Sequence, residues 1–151
     1  MTSYINNQIE KSLKLKQDLF SSNETKQLIQ EVSDEIIKAY KNGKKTLIAG
    51  NGGSAADAQH IAGEFVSRFY FDRPGLASIA LTTDTSILTA IGNDYGYEKL
   101  FSRQLQANGV SGDVFIGIST SGNSKNVIEA LNYAKANGII TVGLTGEKGG
   151  I

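Results

Sequence analysis

Four short apolar runs, at residues 46–49, 77–81, 114–118 and 139–144, are separated by segments whose apolar residues recur every three or four positions. Runs this short, without polar alternation, read as strands buried on both faces. The segments between them carry Ile61/Phe65/Phe69, Ile87/Leu88/Ile91, Leu100/Phe101/Leu105 and Val127/Ile128/Leu131/Ala134, which is helical spacing. Consecutive parallel strands need crossovers, and helical crossovers cover a sheet on both sides. The expected fold class is therefore α/β, a parallel sheet covered by helices on both faces.

Two helices are expected ahead of the first strand. Ile5, Ile9, Leu13 and then Leu19 and Phe20 stand at near-helical spacing among Lys, Gln and Asp. Ser22 and Asn23 offer N-caps to a second helix carrying Leu28, Ile29, Val32, Ile36, Ile37 and Tyr40, which Asn42-Gly43 stops. The organisation read from this is one domain over 1–151, with N-terminal helices at 1–43 and an α/β core at 44–151. Fifteen basic side chains balance fifteen acidic ones, so no broad positive field exists to hold DNA or RNA, and no nucleic-acid partner is expected. The absence of cysteine excludes disulfides, thiolate metal sites and a cysteine nucleophile. No run approaches the roughly 20 apolar residues that span a bilayer. Residues 1–20 lack the apolar stretch of a signal peptide, so the cytoplasm and no membrane partner are expected.

The informative segments are two turns. The first and third strands each run into a Gly/Ser-rich loop that opens a helix: Gly50-Asn51-Gly52-Gly53-Ser54, and Ser119-Thr120-Ser121-Gly122-Asn123-Ser124. In an open parallel sheet, ligands collect at the carboxyl ends of strands. There the N–H groups and partial positive charge of helix N-termini receive phosphate. Ser119, Thr120, Ser121 and Ser124 add four hydroxyls in six residues. The same residues are common N-caps and turn formers, and each loop taken alone fits either role. Neither loop is a P-loop or a dinucleotide fingerprint, which disfavours a nucleotide.

Downstream of the first loop, Asp57, His60, Glu64 and Arg68 are spaced three, four and four apart, on one face of the expected helix. A carboxylate there can move a proton between adjacent carbons, and His60 with Glu64 can share a metal such as zinc. A solvated polar face accounts for the same spacing. Asp94, in Asn93-Asp94-Tyr95-Gly96-Tyr97, is a candidate for a sugar hydroxyl or an ordinary turn former.

These segments together resemble one known family. The stretch Gly50 to Asp57 followed by His60 and Glu64, then Asp84, the turn Gly92 to Gly96, Phe101-Ser102-Arg103-Gln104 and Gly117 to Ser124, is similar to the phosphoheptose (sedoheptulose 7-phosphate) isomerases of the SIS group. The likeness runs from the N-terminal helices to residue 150, with motifs in order and at family spacing. It implies a flavodoxin-like or Rossmann-like three-layer sandwich and a cytoplasmic homotetramer with active sites between subunits. The implied reaction converts sedoheptulose 7-phosphate to D-glycero-D-manno-heptose 7-phosphate, the first step towards the heptose of lipopolysaccharide or capsule. By position Glu64 is the base that shuttles a proton through an enediol. Ser119, Thr120, Ser121 and Ser124 hold the phosphate, and Asn51, Gly52, Gly53, Ser54, Arg68 and Asp94 shape the sugar pocket. His60 and Glu64 match two ligands of a zinc ion, one per subunit.

The family continues past a Thr-Gly-x-x-Gly-Gly turn into another strand and a long helix, which supply a catalytic histidine and the further metal ligands. This sequence ends at Ile151, so it is expected to be a fragment or to lack that tail. Two other readings fit the same family: a non-catalytic adaptor binding the replication initiator DnaA, and a sugar-phosphate sensor.

Overall fold

The computed structural model describes residues 2–147, 149 and 150. In chain order these form α1 (Thr2–Ser21), α2 (Asn23–Lys41), β1 (Thr46–Gly50), α3 (Gly53–Val66), β2 (Ser78–Ala80), α4 (Thr85–Tyr95), a single 3₁₀ turn (Tyr97–Lys99), α5 (Leu100–Asn108), β3 (Val114–Ser119), α6 (Lys125–Ala136) and β4 (Ile140–Thr145). The chain divides into two compact units, the first ending at Glu35 and the second beginning at Ile36.

The first unit contains α1 and the opening turns of α2. No residue of α1 is buried, and Ile5, Ile9, Leu13, Leu19 and Phe20 all lie exposed along it. Ser22 ends the first helix and starts the second: its hydroxyl accepts from the Thr25 amide at 3.1 Å, as an N-cap should.

The second unit is built on a four-stranded parallel sheet in the order β2-β1-β3-β4. Topology dictates where its helices go. The step from β1 to β2 moves outward one way, and the steps from β2 to β3 and from β3 to β4 move the other way. Right-handed crossovers therefore put α3 on one face and α4, α5 and α6 on the opposite face. The contacts agree, since α5 packs on α6, and α3 packs on β1 and β2. Alternation along the strands carries the same division. Leu47, Ala49 and Phe115 join Leu100, Phe101, Leu105, Val127, Ala130 and Ala134 in one buried cluster. Gly117, two residues beyond Phe115, is where α6 comes nearest: a Cβ there would stand 2.8 Å from Val127 Cγ1.

Two polar arrangements brace the amino ends of the strands. Buried Asp113 accepts from the amides of Lys45 and Val110 at 3.1 and 2.9 Å and pairs with Lys45 Nζ at 2.7 Å. Tyr40 hydrogen-bonds Thr46 Oγ1 at 2.8 Å, and that hydroxyl donates to Ser78 Oγ at 2.7 Å. Burial pushes the Tyr40 hydroxyl above the ordinary tyrosine range, while these hydrogen bonds act the other way.

One expected element is shorter than its periodicity suggests. The spacing of Ile61, Phe65 and Phe69 extends the third helix through Phe69, but α3 ends at Val66. In a continuing helix the amides of Arg68 and Phe69 would bond the carbonyls of Glu64 and Phe65. Those acceptors are taken from elsewhere. Arg73 donates to Glu64 O at 2.9 Å and to Phe65 O at 2.8 Å, and the Leu76 amide donates to Phe65 O at 3.0 Å. A guanidinium at a helix C-terminus also opposes the macrodipole favourably. Arg68 and Phe69 are thus exposed beyond the helix, and Phe69 stacks edge-on against Tyr70.

Candidate functional site

The sheet order places β1 and β3 side by side, with Gly50 paired to Ile118 at their carboxyl ends. The chain leaves these two strands towards opposite faces, so a crevice opens between the loops that follow. Helix α3 starts three residues after the end of β1, and α6 starts six residues after the end of β3. Both N-termini therefore meet the crevice. The strand end can approach α3 only because it is glycine: a Cβ on Gly50 would lie 2.6 Å from Ser54 Cβ.

The second loop is held by its own bonds. The Gly122 amide returns to Ser119 O at 2.9 Å, Ser119 Oγ donates to Ser124 Oγ at 2.9 Å, and the Asn123 amide donates to Ser121 Oγ at 3.1 Å. Gly122 sits at φ +68°, in the left-handed region that glycine occupies without strain. The Ser124 side chain makes no capping bond to α6, so its hydroxyl does not compete for the helix's first amides. The loop thus offers hydroxyls and a helix N-terminus together, a combination suited to phosphate.

The first loop lines a cavity of about 360 Å³ through Gly50, Asn51 and Gly52, together with Thr82, Thr89 and Tyr97. Leu88, Leu100 and Phe101 supply its apolar surface. A few polar groups on an apolar lining of this size suit a small ligand. The two loops are joined through side chains: Asn51 and Asn126 exchange amide hydrogen bonds in both directions, each 2.9 Å. The Tyr97 hydroxyl donates to Asn51 Oδ1 at 3.0 Å.

Glu64 lies elsewhere on α3. Eleven residues separate it from Gly53, which is roughly 16 Å along the helix axis at 1.5 Å per residue. Its carboxylate lines a second cavity of about 340 Å³ with His60, Ile61, Phe65, Phe69 and Arg73. His60 Nε2 stands 3.9 Å from Glu64 Oε1. Two ligands of one tetrahedral zinc are about 3.4 Å apart given bonds near 2.1 Å. The pair is therefore within half an ångström of chelating spacing, but among the described residues no third His, Asp or Glu joins them.

Of the residues singled out from sequence, Asn51, Gly52 and Gly53 stand at the first loop, with Ser54 one position into α3. Ser119, Thr120, Ser121 and Ser124 form the second loop. Three others lie apart. Arg68 is off the helix and exposed; Asp57 is exposed on α3. Asp94 belongs to the last turn of α4, accepts from Asn93 Nδ2 at 2.8 Å, and lines a different cavity with Tyr95 and Arg103. Asn126, Tyr97 and Arg73 went unnoticed as site residues. A polar residue two positions past the hydroxyl loop is a weak hint of Asn126's role, and nothing local marks Arg73.

Residues 9–146 match the family model described as SIS domain. Among curated relatives, the "Phosphoheptose isomerase" of Aneurinibacillus thermoaerophilus is 67% identical over 150 residues, 99% of this chain and 76% of the relative. "Phosphoheptose isomerase 2" of Campylobacter jejuni is also 67% identical over 150 residues, 99% of this chain and 75% of the relative. Among solved structures, the phosphoheptose isomerase GmhA of Neisseria gonorrhoeae superposes with a TM-score of 0.87 at 42% identity, covering 98% of this chain and 76% of that one. A phosphoheptose isomerase from Francisella tularensis gives a TM-score of 0.92 at 34% identity, covering 99% and 77%.

Proposed function

The chain belongs to the SIS domain family, and from that premise we propose that it isomerises a phosphorylated seven-carbon sugar, sedoheptulose 7-phosphate, to D-glycero-D-manno-heptose 7-phosphate. This is the first step of heptose biosynthesis for lipopolysaccharide or capsule. The observation that carries the reading is that the two loops leave the adjacent carboxyl ends of β1 and β3 and are joined by the Asn51–Asn126 amide pair, with the first loop lining a cavity of sugar size.

The phosphate is held by the Ser119, Thr120, Ser121 and Ser124 loop and the first amides of α6, which need no lysine to receive it. Asn51, Gly52, Gly53 and Ser54 flank the sugar. Isomerisation moves a proton from the hydroxyl-bearing carbon beside the ketone to the former carbonyl carbon through an enediol, while that hydroxyl's proton is lost and the former carbonyl oxygen gains one; no atom is gained or lost overall. Glu64 is the group suited to accept and return that proton, since its carboxylate lines a cavity with apolar walls next to Arg73. The roughly 16 Å between Glu64 and the first loop is too far for one chain to bring both to one heptose. The carboxylate therefore serves a site completed by a neighbouring copy, in keeping with a cytoplasmic homotetramer whose sites lie between subunits. Arg68 and Asp94 belong to that shared site or to none.

His60 and Glu64 would supply two of the ligands of a zinc ion, the others coming from outside the described residues. When bound, zinc supplies Lewis-acid polarisation of the sugar carbonyl. Among the described residues no helix is long and apolar enough to cross a membrane.

The test is conversion of sedoheptulose 7-phosphate by the full-length protein and its Glu64→Gln variant. Loss of turnover in the variant, with sugar-phosphate affinity kept, is expected, because the amide preserves shape while removing the proton acceptor. Near-normal turnover refutes the role of Glu64. A parent protein that binds the sugar phosphate without converting it is a sensor, and one that binds DnaA and ignores the sugar is an adaptor; the isomerase names of the relatives do not favour the adaptor.

A further inference from the structure

We propose that Asn126 is a positioning residue for the sugar pocket, acting through Asn51 rather than touching the ligand. Asn126 is the second residue of α6 and is 2% exposed. A polar side chain that buried is costly unless its hydrogen bonds are made, and an apolar residue would fill the space without that cost. Its carboxamide bonds twice to one partner, the half-buried Asn51 on the cavity wall, in a reciprocal pair at 2.9 Å each way. The pair links the loop after β1 to the helix after β3.

The Tyr97 hydroxyl adds a third bond at 3.0 Å to the same Asn51 oxygen. Tyr97 is itself located by its neighbours: Glu98 pairs with Lys125 at 3.1 Å and Lys99 with Glu129 at 2.5 Å, on either side of Asn126 along α6. The 3₁₀ turn and α6 thus form one frame, and Asn51 hangs from that frame by its side chain. The second loop adjoins this frame at Ser124, whose carbonyl accepts from the Val127 and Ile128 amides, but its Ser119–Ser124 and Gly122–Ser119 bonds involve neither Asn51 nor the Asn126 side chain. Breaking the amide pair therefore frees Asn51 and the sugar wall while leaving the phosphate grip intact.

The inference rests on the sugar-phosphate reading of the crevice, and its test separates the two. Asn126→Leu keeps the side-chain branching, with methyls bulkier than the amide atoms, while deleting both amide bonds, and Tyr97→Phe deletes only the third at an exposed position. In the full-length protein, KM and kcat are measured for sedoheptulose 7-phosphate, Kd for inorganic phosphate by calorimetry, and Tm for each variant. Loss of two hydrogen bonds is expected to raise KM roughly tenfold in Asn126→Leu, and loss of one about threefold in Tyr97→Phe. kcat and the Kd for inorganic phosphate should stay within about twofold, the pattern of a lost ground-state binding interaction. A lowered Tm with KM unmoved, or equal losses of sugar and inorganic phosphate affinity, would show Asn126 to be structural only and overturn the proposal. Should Asn126→Leu fold poorly, an unchanged KM in Tyr97→Phe overturns it equally. A parent protein that neither binds nor converts the heptose phosphate overturns the reading on which the inference stands, and the inference with it.

Discussion

Replacing Gly50 by alanine tests how closely α3 must press against the end of β1. The added Cβ would stand 2.6 Å from Ser54 Cβ, 2.8 Å from Ser54 O and 2.9 Å from the Ser54 carbonyl carbon. Ordinary contacts between such atoms begin near 3.5 Å, so the first turn of α3 must retreat by roughly 1 Å. Two of the three obstructing atoms are backbone, and no change of rotamer relieves them. Overpacking of this kind costs about 1–3 kcal/mol, and a backbone obstacle argues for the upper half of that range. For a chain of this size, about 2–3 kcal/mol lowers Tm by roughly 5–10 °C. The same retreat withdraws the amides of α3 from the crevice, and a shift near 1 Å at a ligand site can cost on the order of 100-fold in activity. Urea denaturation followed by circular dichroism should show a lower midpoint with unchanged slope, and calorimetry should show sugar-phosphate affinity reduced at least several-fold. Gly63→Ala is the matched control, since a Cβ there meets nothing within 4 Å on the same helix. It should be neutral or stabilise by about 0.5–1 kcal/mol. A Gly50→Ala protein with the midpoint and affinity of the parent would refute the claim that this close approach builds the site.

Ser119→Ala combined with Ser124→Ala should raise KM for the sugar phosphate with kcat little changed, because phosphate contacts are made equally in ground and transition states; unchanged steady-state KM would move the phosphate elsewhere. Asp113→Ala should destabilise by about 3 kcal/mol in a urea melt, since it strands the amides of Lys45 and Val110 and the Lys45 ammonium beside a buried position. A loss under about 1 kcal/mol would show that water replaces the carboxylate. Tyr40 has its folded pKa raised by burial, so its contribution is complete below the unfolded value and is lost as pH rises above about 10. Tyr40→Phe should therefore flatten the alkaline fall in stability, and a pH–stability curve parallel to that of the parent would contradict this.

The α/β alternation, the parallel sheet and the two loops were legible because each rests on local chemistry. Unalternating apolar runs such as 114–118 can be covered only by burial on both faces, and clustered glycine and serine at a strand end mark a turn into a helix. The helix boundary at Val66 was not legible. Periodicity through Phe69 is a statement about which residues would share a face if the helix continued, and the helix stops because Arg73 and Leu76, distant along the chain, take the carbonyls it needs. Arg68 left the face of His60 and Glu64 for the same reason. Asp94 is a candidate for a sugar hydroxyl or a turn former in the sequence, and α4 places it at a cavity with Tyr95 and Arg103.

By itself, then, the order of residues determined the class of fold, the two Gly/Ser-rich turns and the carboxylate proposed to move a proton, because propensity, periodicity and turn chemistry act over a few neighbouring positions. Tertiary structure alone decided that the two loops lie side by side, that Asn51 is held by Asn126 and Tyr97, and that Glu64 stands a helix length away from them. Strand order and crossover handedness set those separations, and neither is encoded within any single segment.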